Sequence, residues 1–129
     1  MHPMRRSFVG VLGAGLLAAL AAVPVWAHHT FIVDFDQHRP VTLKGTVTRL
    51  EWVNPHGLIY LAVEGQNGAE TWVIETGSPF HMMNRGLERG DLAFGTVIGV
   101  EGFLARNGGR FVAGTTVTLP KGRSYSLGR

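Results

Sequence analysis

The stretch TWVIETGSPFHMM, Thr71 to Met83, decides the fold of this 129-residue chain. Its first half is strand-like, because Trp72, Val73 and Ile74 follow one another in a short run of β-formers. The chemistry changes at Gly77-Ser78-Pro79. Ser78 suits the position before a helix, where its oxygen can accept from an orphan N–H. Pro79 suits the first helical position, where its missing N–H has no partner to lose. Gly86 fits the residue after the last turn, so the helix is short. A strand that runs straight into a short helix therefore occupies the middle of the chain.

The elements on either side give that helix its meaning. Upstream, Asn67-Gly68 is a tight-turn signal joining LIYLAVE, Leu58 to Glu64, to the Thr71–Thr76 strand. Before it comes VTLKGTVTRLEWV, in which Val41, Leu43 and Val47 share a face and Leu50 and Trp52 share the other. That switch of phase predicts a bulge or sharp bend, which Gly45 makes easy. NPHG, Asn54 to Gly57, ends the strand with turn chemistry. Downstream, Thr96 to Ala105 reads as a fourth strand, RNGGR as a turn, and Phe111 to Leu119 as a fifth strand. In the fifth, Phe111, Ala113, Thr115, Val117 and Leu119 are expected on one face.

Three strands, a short helix and two more strands, with the first strand bent, predict a mainly β fold. The expected architecture is a small five-stranded OB-like barrel with one short helix between strands three and four. Another small barrel or sandwich with an incidental helix is the competing reading. The barrel domain is expected over residues 41–120, an extended N-terminal arm over 28–40, and a loose basic tail over 121–129. Met82 and Met83 are expected to fill core gaps beneath the helix.

The first residues belong to none of this. Arg5 and Arg6 precede an uncharged apolar run, Phe8 to Val23, which Pro24 breaks before Val25-Trp26-Ala27. That pattern reads as a signal peptide helix over residues 1–27, cleaved after Ala27, with the protein periplasmic or secreted. An uncleaved membrane anchor is the alternative, and the run is short for it. No stable membrane span is expected after cleavage. Two of the twelve basic residues leave with the leader and all nine acidic ones stay, so ten cations face nine anions. A nearly neutral domain without aromatic–basic interleaving is not expected to bind nucleic acid. There is no cysteine, so neither a disulfide nor a thiolate ligand is available.

The chain resembles a group of small exported bacterial proteins of unknown function. The likeness is carried by His28-His29-Thr30-Phe31, Phe35-Asp36 and Pro40 to Thr48. It continues through Trp52-Val53-Asn54-Pro55-His56, Glu75-Thr76-Gly77-Ser78-Pro79 and Val100-Glu101-Gly102. This chain has Gly95-Thr96 where such proteins often have Gly-Asp, and Leu87 where they often have Trp. The resemblance implies export and a small OB-like β fold. It also implies kinship with periplasmic OB-fold proteins that bind ligands rather than catalyse, and it supplies no established activity.

The residues themselves offer two chemistries. In an OB-like order the turn after strand one, the end of strand three and the helix start meet at one rim. Trp52, Asn54, His56, Glu75 and Ser78 are therefore the candidate ligand-binding residues. Each has a structural alternative: packing for Trp52 and Trp72, turn bonding for Asn54 and His56, capping for Ser78, and a structural hydrogen bond for Glu75. His28, His29, His56 and His81 are the candidate metal ligands. A mature chain starting at His28 would offer an amine and a ring nitrogen from one residue, a set that suits Cu(II). Asp34 and Asp36 read as a solvated face. No Gly-x-Ser-x-Gly, phosphate loop or paired-cysteine motif is present, so catalysis is the least supported role. The expectation is an exported binding module for an uncharacterised small ligand or periplasmic protein. The alternative is a protein that binds copper or another divalent metal.

Overall fold

The computed structural model describes residues 34–128. The expected signal peptide, His28, His29 and the first part of the arm lie outside the described residues. Strand β1 spans Phe35–Glu51, β2 Leu58–Gly65 and β3 Gly68–Glu75. Helix α1 spans Pro79–Asn84 and is followed by a 3-10 turn at Arg89–Leu92. Strands β4, Val97–Ala105, β5, Phe111–Thr118, and β6, Ser124–Ser126, complete the order. Among the described residues the fold is mainly β, with six strands in one sheet and a single short α-helix between the third and fourth strands. No helix among the described residues is long and apolar enough to cross a membrane.

The sheet order is β3-β2-β1-β4-β5-β6, and neighbours in it run antiparallel. β3 and β5 also pair, in parallel, at Val73–Phe111, Ile74–Val112 and Glu75–Ala113. β1 serves two partners because it is long and bent. Its residues up to Thr46 pair with β4, and those from Thr46 onward pair with β2. The register shifts between Val47 and Arg49, where the change of apolar phase predicted a bend. A second shift falls between Phe35 and Pro40.

Three expectations are corrected. The first strand starts at Phe35, not Val41, because Phe35 pairs with Ala105 and stacks on Phe111 with ring centroids 5.8 Å apart. The tail is not loose: Ser124 to Ser126 add a sixth strand to β5, and Leu127 is completely buried. The fifth strand does not keep one face, since Val112 and Val117 are both 0% exposed although five positions apart. A register shift opposite Glu101 and Gly102 leaves Thr115 outside the paired register with β4 and inverts the alternation. A side chain on Gly102 would run into the Ala113 carbonyl oxygen, so the bulge packs as it does only around glycine.

The core gathers Val47, Ile59, Leu61, Ile74, Ile98, Val100, Val112 and Val117 from five strands. Leu87 and Leu92 from the helical connection and Leu127 from the tail complete it. Each such side chain contributes about 1.5–3 kcal/mol by leaving water. Met82 joins this cluster at 1% exposure, while Met83 is half exposed, so one of the two methionines fills the core and the other does not. Helix α1 starts as its sequence predicts, with Ser78 Oγ accepting from the His81 N–H at 3.3 Å and Pro79 in the first turn. It ends before Gly86, whose φ is 90°.

Candidate functional site

Where β1 begins, a cleft of about 710 Å³ opens between the β1–β2 turn, the start of α1 and the C-terminal segment. His56, Ser78 and His81 line it, together with Asp34, Phe35 and Gln37 from the opposite side. Phe103, Ala113 and Thr115 contribute from β4 and β5. The polar groups thus come from segments far apart in the chain and converge over partly apolar walls, the usual build of a small-ligand site.

His56 follows the Asn54–Pro55 peptide bond, which is cis. Its Nδ1 donates to the Thr76 carbonyl at 3.0 Å. That carbonyl is held in place by its own surroundings. Thr76 is completely buried, and its N–H donates to the Gly57 carbonyl at 2.9 Å. Gly57 N–H donates to the Gly77 carbonyl at 3.2 Å, and the Thr76 hydroxyl donates to the same oxygen at 2.8 Å. The turn carrying His56 is therefore laced to the end of β3. Glu75 Oε1 stands 3.9 Å from His56 Nδ1, with the Glu75 side chain 13% exposed and that of His56 42% exposed.

Ser78 and His81 reach the cleft because α1 starts two residues after Gly77, with Ser78 as its cap. The Gly77 N–H donates to the Leu127 carbonyl at 2.7 Å, and Leu127 N–H donates to Thr115 at 2.9 Å. The tail thus closes the floor. On the other side, Asp34 is fixed to the end of β4 by Arg106, whose backbone N–H donates to the Asp34 carbonyl and whose Nε meets Asp34 Oδ2, each at 2.8 Å. Both charged side chains are exposed, so the pair orients the chain more than it stabilises the fold.

Of the residues chosen from sequence, His56, Ser78 and His81 come together in the cleft, and Glu75 stands behind His56. Asn54 is exposed on the turn and Trp52 packs against the core, and neither lines the cleft. Trp72 also packs on the core, with its indole Nε1 buried and unpartnered. Phe35, Gln37 and Gly128 were not foreseen as lining residues, since which strand and tail residues face the cleft depends on pairings distant in sequence. Among the described residues no group of three or more His, Cys, Asp or Glu is arranged to hold a metal ion. A second groove of about 580 Å³ runs between β1, β4 and the end of β5, and among the described residues Lys44 is the one ionisable side chain lining it.

The fold and the cleft define a small mainly β domain with one imidazole-lined cleft at the meeting of turn, helix start and tail. The chain belongs to DUF6152, a family of unknown function, whose model matches residues 16–115. No curated protein matches it significantly.

Proposed function

We propose that this protein is an exported, periplasmic OB-like binding module whose ligand site is the His56–Ser78–His81 cleft. The barrel reading is supported by the pairing circuit β1–β2–β3–β5–β4–β1, in which the parallel β3–β5 contact returns the sheet to its start. A strongly bent first strand and a helix between the third and fourth strands are what such a barrel needs. The leader-like segment ending at Ala27 supports export. The observation that carries the binding role is the convergence of His56, Ser78 and His81 on a cleft large enough for a small ligand or a partner's side chains. Native mass spectrometry of protein recovered from the periplasmic fraction tests this. The expected species starts at His28 and carries an adduct that is lost in the His56→Ala, His81→Ala double variant. An unprocessed mass, or an adduct retained in the double variant, overturns the proposal.

One observation favours a second reading, copper binding through the mature amino terminus. Asp34 and Phe35, the first described residues of the chain, line the same cleft as His56 and His81. His28 lies six positions before Asp34, a span of at most about 20 Å. The His28 amine and ring, with His56 and His81, would supply nitrogen donors of the kind Cu(II) prefers. Copper titration of the processed protein is expected to show binding that disappears when one extra residue precedes His28. Equal binding by the extended form removes the amine from the site.

A further inference from the structure

Phe35, Phe103 and Phe111 are each half-buried, yet none belongs to the core cluster or to the side chains packed on it. The strand register explains where they stand. Ile74 and Val112 are wholly buried, so their neighbours Glu75 and Ala113 point to the other face of the sheet. Glu75 pairs with Ala113 and Ala113 with Phe103, which sets the three in one row across β3, β5 and β4. Phe111 lies two positions before Ala113, on the same face of β5. The ring of Phe35, from the start of β1, stands 5.8 Å from that of Phe111. Phe35, Phe103 and Ala113 all line the cleft. The outer face of the sheet therefore carries an aromatic platform, and the small Ala113 side chain leaves its floor open. Large apolar groups gathered on a surface away from the core mark a place where something binds.

The lining offers no partner for a charged ligand among its strongly ionised groups. Among the described residues no lysine or arginine lines the cleft, and Asp34, its one carboxylate, is held by Arg106 Nε at 2.8 Å. Glu75 flanks the floor without lining the cleft, and its Oε1 stands 3.9 Å from His56 Nδ1. Arg85, beside Gly128, donates to the His81 carbonyl at 3.2 Å. We propose that the cleft takes a small neutral aromatic molecule with one hydrogen-bonding group, of the phenol or indole kind. Its ring sits on Ala113 against Phe35 and Phe103, and Ala113 sets the limit on its size. The inference rests on the first reading of the cleft, as a ligand site, and names the class of ligand. Aromatic rings attract one another offset or edge to face beyond the area they bury. The volume of about 710 Å³ lies in the range of small-molecule sites, and Ser78, His56 and His81 line it as polar partners. The competing occupant is the chain itself, because the apolar Phe31, Ile32 and Val33 directly precede Asp34.

The test is carbon-13 methyl NMR of the processed protein labelled at alanine, titrated with indole alone and then with benzoate and with benzylamine. Indole should shift the Ala113 methyl upfield to saturation and leave Ala62 and Ala69, on β2 and β3, unmoved. Benzoate and benzylamine should bind at least about ten-fold more weakly, since each must desolvate a charge without gaining a partner. Ala113→Phe, which fills the floor, should abolish the indole shift elsewhere in the cleft. Phe103→Leu keeps apolar bulk outside the core, so it should melt like the wild type and bind indole about three- to ten-fold more weakly. Indole affinity unchanged in Phe103→Leu overturns the proposal. Benzoate or benzylamine reaching Ala113 as tightly as indole also overturns it, an outcome that keeps the cleft and removes the neutral class. Contacts between the Phe31 ring and the Ala113 methyl in the ligand-free protein assign the floor to the chain's own segment and overturn it too. If no probe moves the Ala113 methyl, the ligand class falls, and the adduct experiment decides the fate of the cleft separately.

Discussion

Tyr60 shows what a single side chain contributes outside the cleft. It lies on β2 opposite Arg49, with the Arg49 guanidinium 5.1 Å from the ring centroid. Its hydroxyl donates to Glu51 Oε1 at 3.2 Å, and Arg49 meets the same oxygen at 2.7 Å. Burial, and then the Glu51 carboxylate, push the Tyr60 pKa above its usual 10.0. The unfolded chain loses this proton at lower pH than the folded one, so ionisation favours unfolding. Stability from this group is complete below pH 10 and declines as pH rises through the folded value. Denaturant melts across that range should show the decline, and Tyr60→Phe should flatten it. An unchanged slope in Tyr60→Phe removes the Glu51 pair from the account.

Helix α1 is an element that cannot stand on its own. Six residues form fewer than two full turns, well below the length at which a helix persists in water. It exists because Ser78 caps it, Pro79 starts it and Met82 is buried beneath it. Ser78→Ala is expected to cost about 1 kcal/mol by leaving the His81 N–H without its acceptor. The urea midpoint should fall with an unchanged m-value, and Ser78→Asp should recover most of the loss. A midpoint in Ser78→Ala equal to the wild type would show that tertiary packing alone holds the helix start. The same element displays the reach of pattern reading. Ser78, Pro79 and Gly86 announced the helix and both its ends, because caps and breakers act through local geometry. The burial of Met82 and the exposure of Met83 were not announced, because they depend on what lies beneath the helix.

At the scale of the whole molecule, the last segment binds the two ends of the design together. Leu127 is fully buried, and its backbone receives Gly77 and donates to Thr115, so it links the helix start to β5. Leu127→Ala is expected to destabilise the domain by about 2–5 kcal/mol through the cavity it leaves. A stop before Ser124 should lower the melting temperature further and weaken any ligand of the cleft, since the Gly77 N–H loses its acceptor. A truncated protein that melts like the full chain would show that the tail only covers the domain.

The first five strands and the bend of the first were legible where they depend on nearest neighbours. The phase change from Val47 to Leu50 predicted the β1 bend, and Asn67-Gly68 predicted the hairpin, because both are local steric demands. The mainly β class and the position of the helix followed from those signals. The start of β1 at Phe35, the bulge at Thr115 and the sixth strand did not, because each depends on a partner strand distant in sequence. The cleft divides in the same way. His56 and Ser78 could be chosen by residue type and by their place beside a turn and a helix start. That Asp34 and Phe35 share the cleft with them, and that the His56 Nδ1 meets the Thr76 carbonyl, was settled by tertiary structure. A sequence specifies which groups can donate, accept or pack; which of them meet is decided by how β1 bends and how the sheet brings its distant strands side by side.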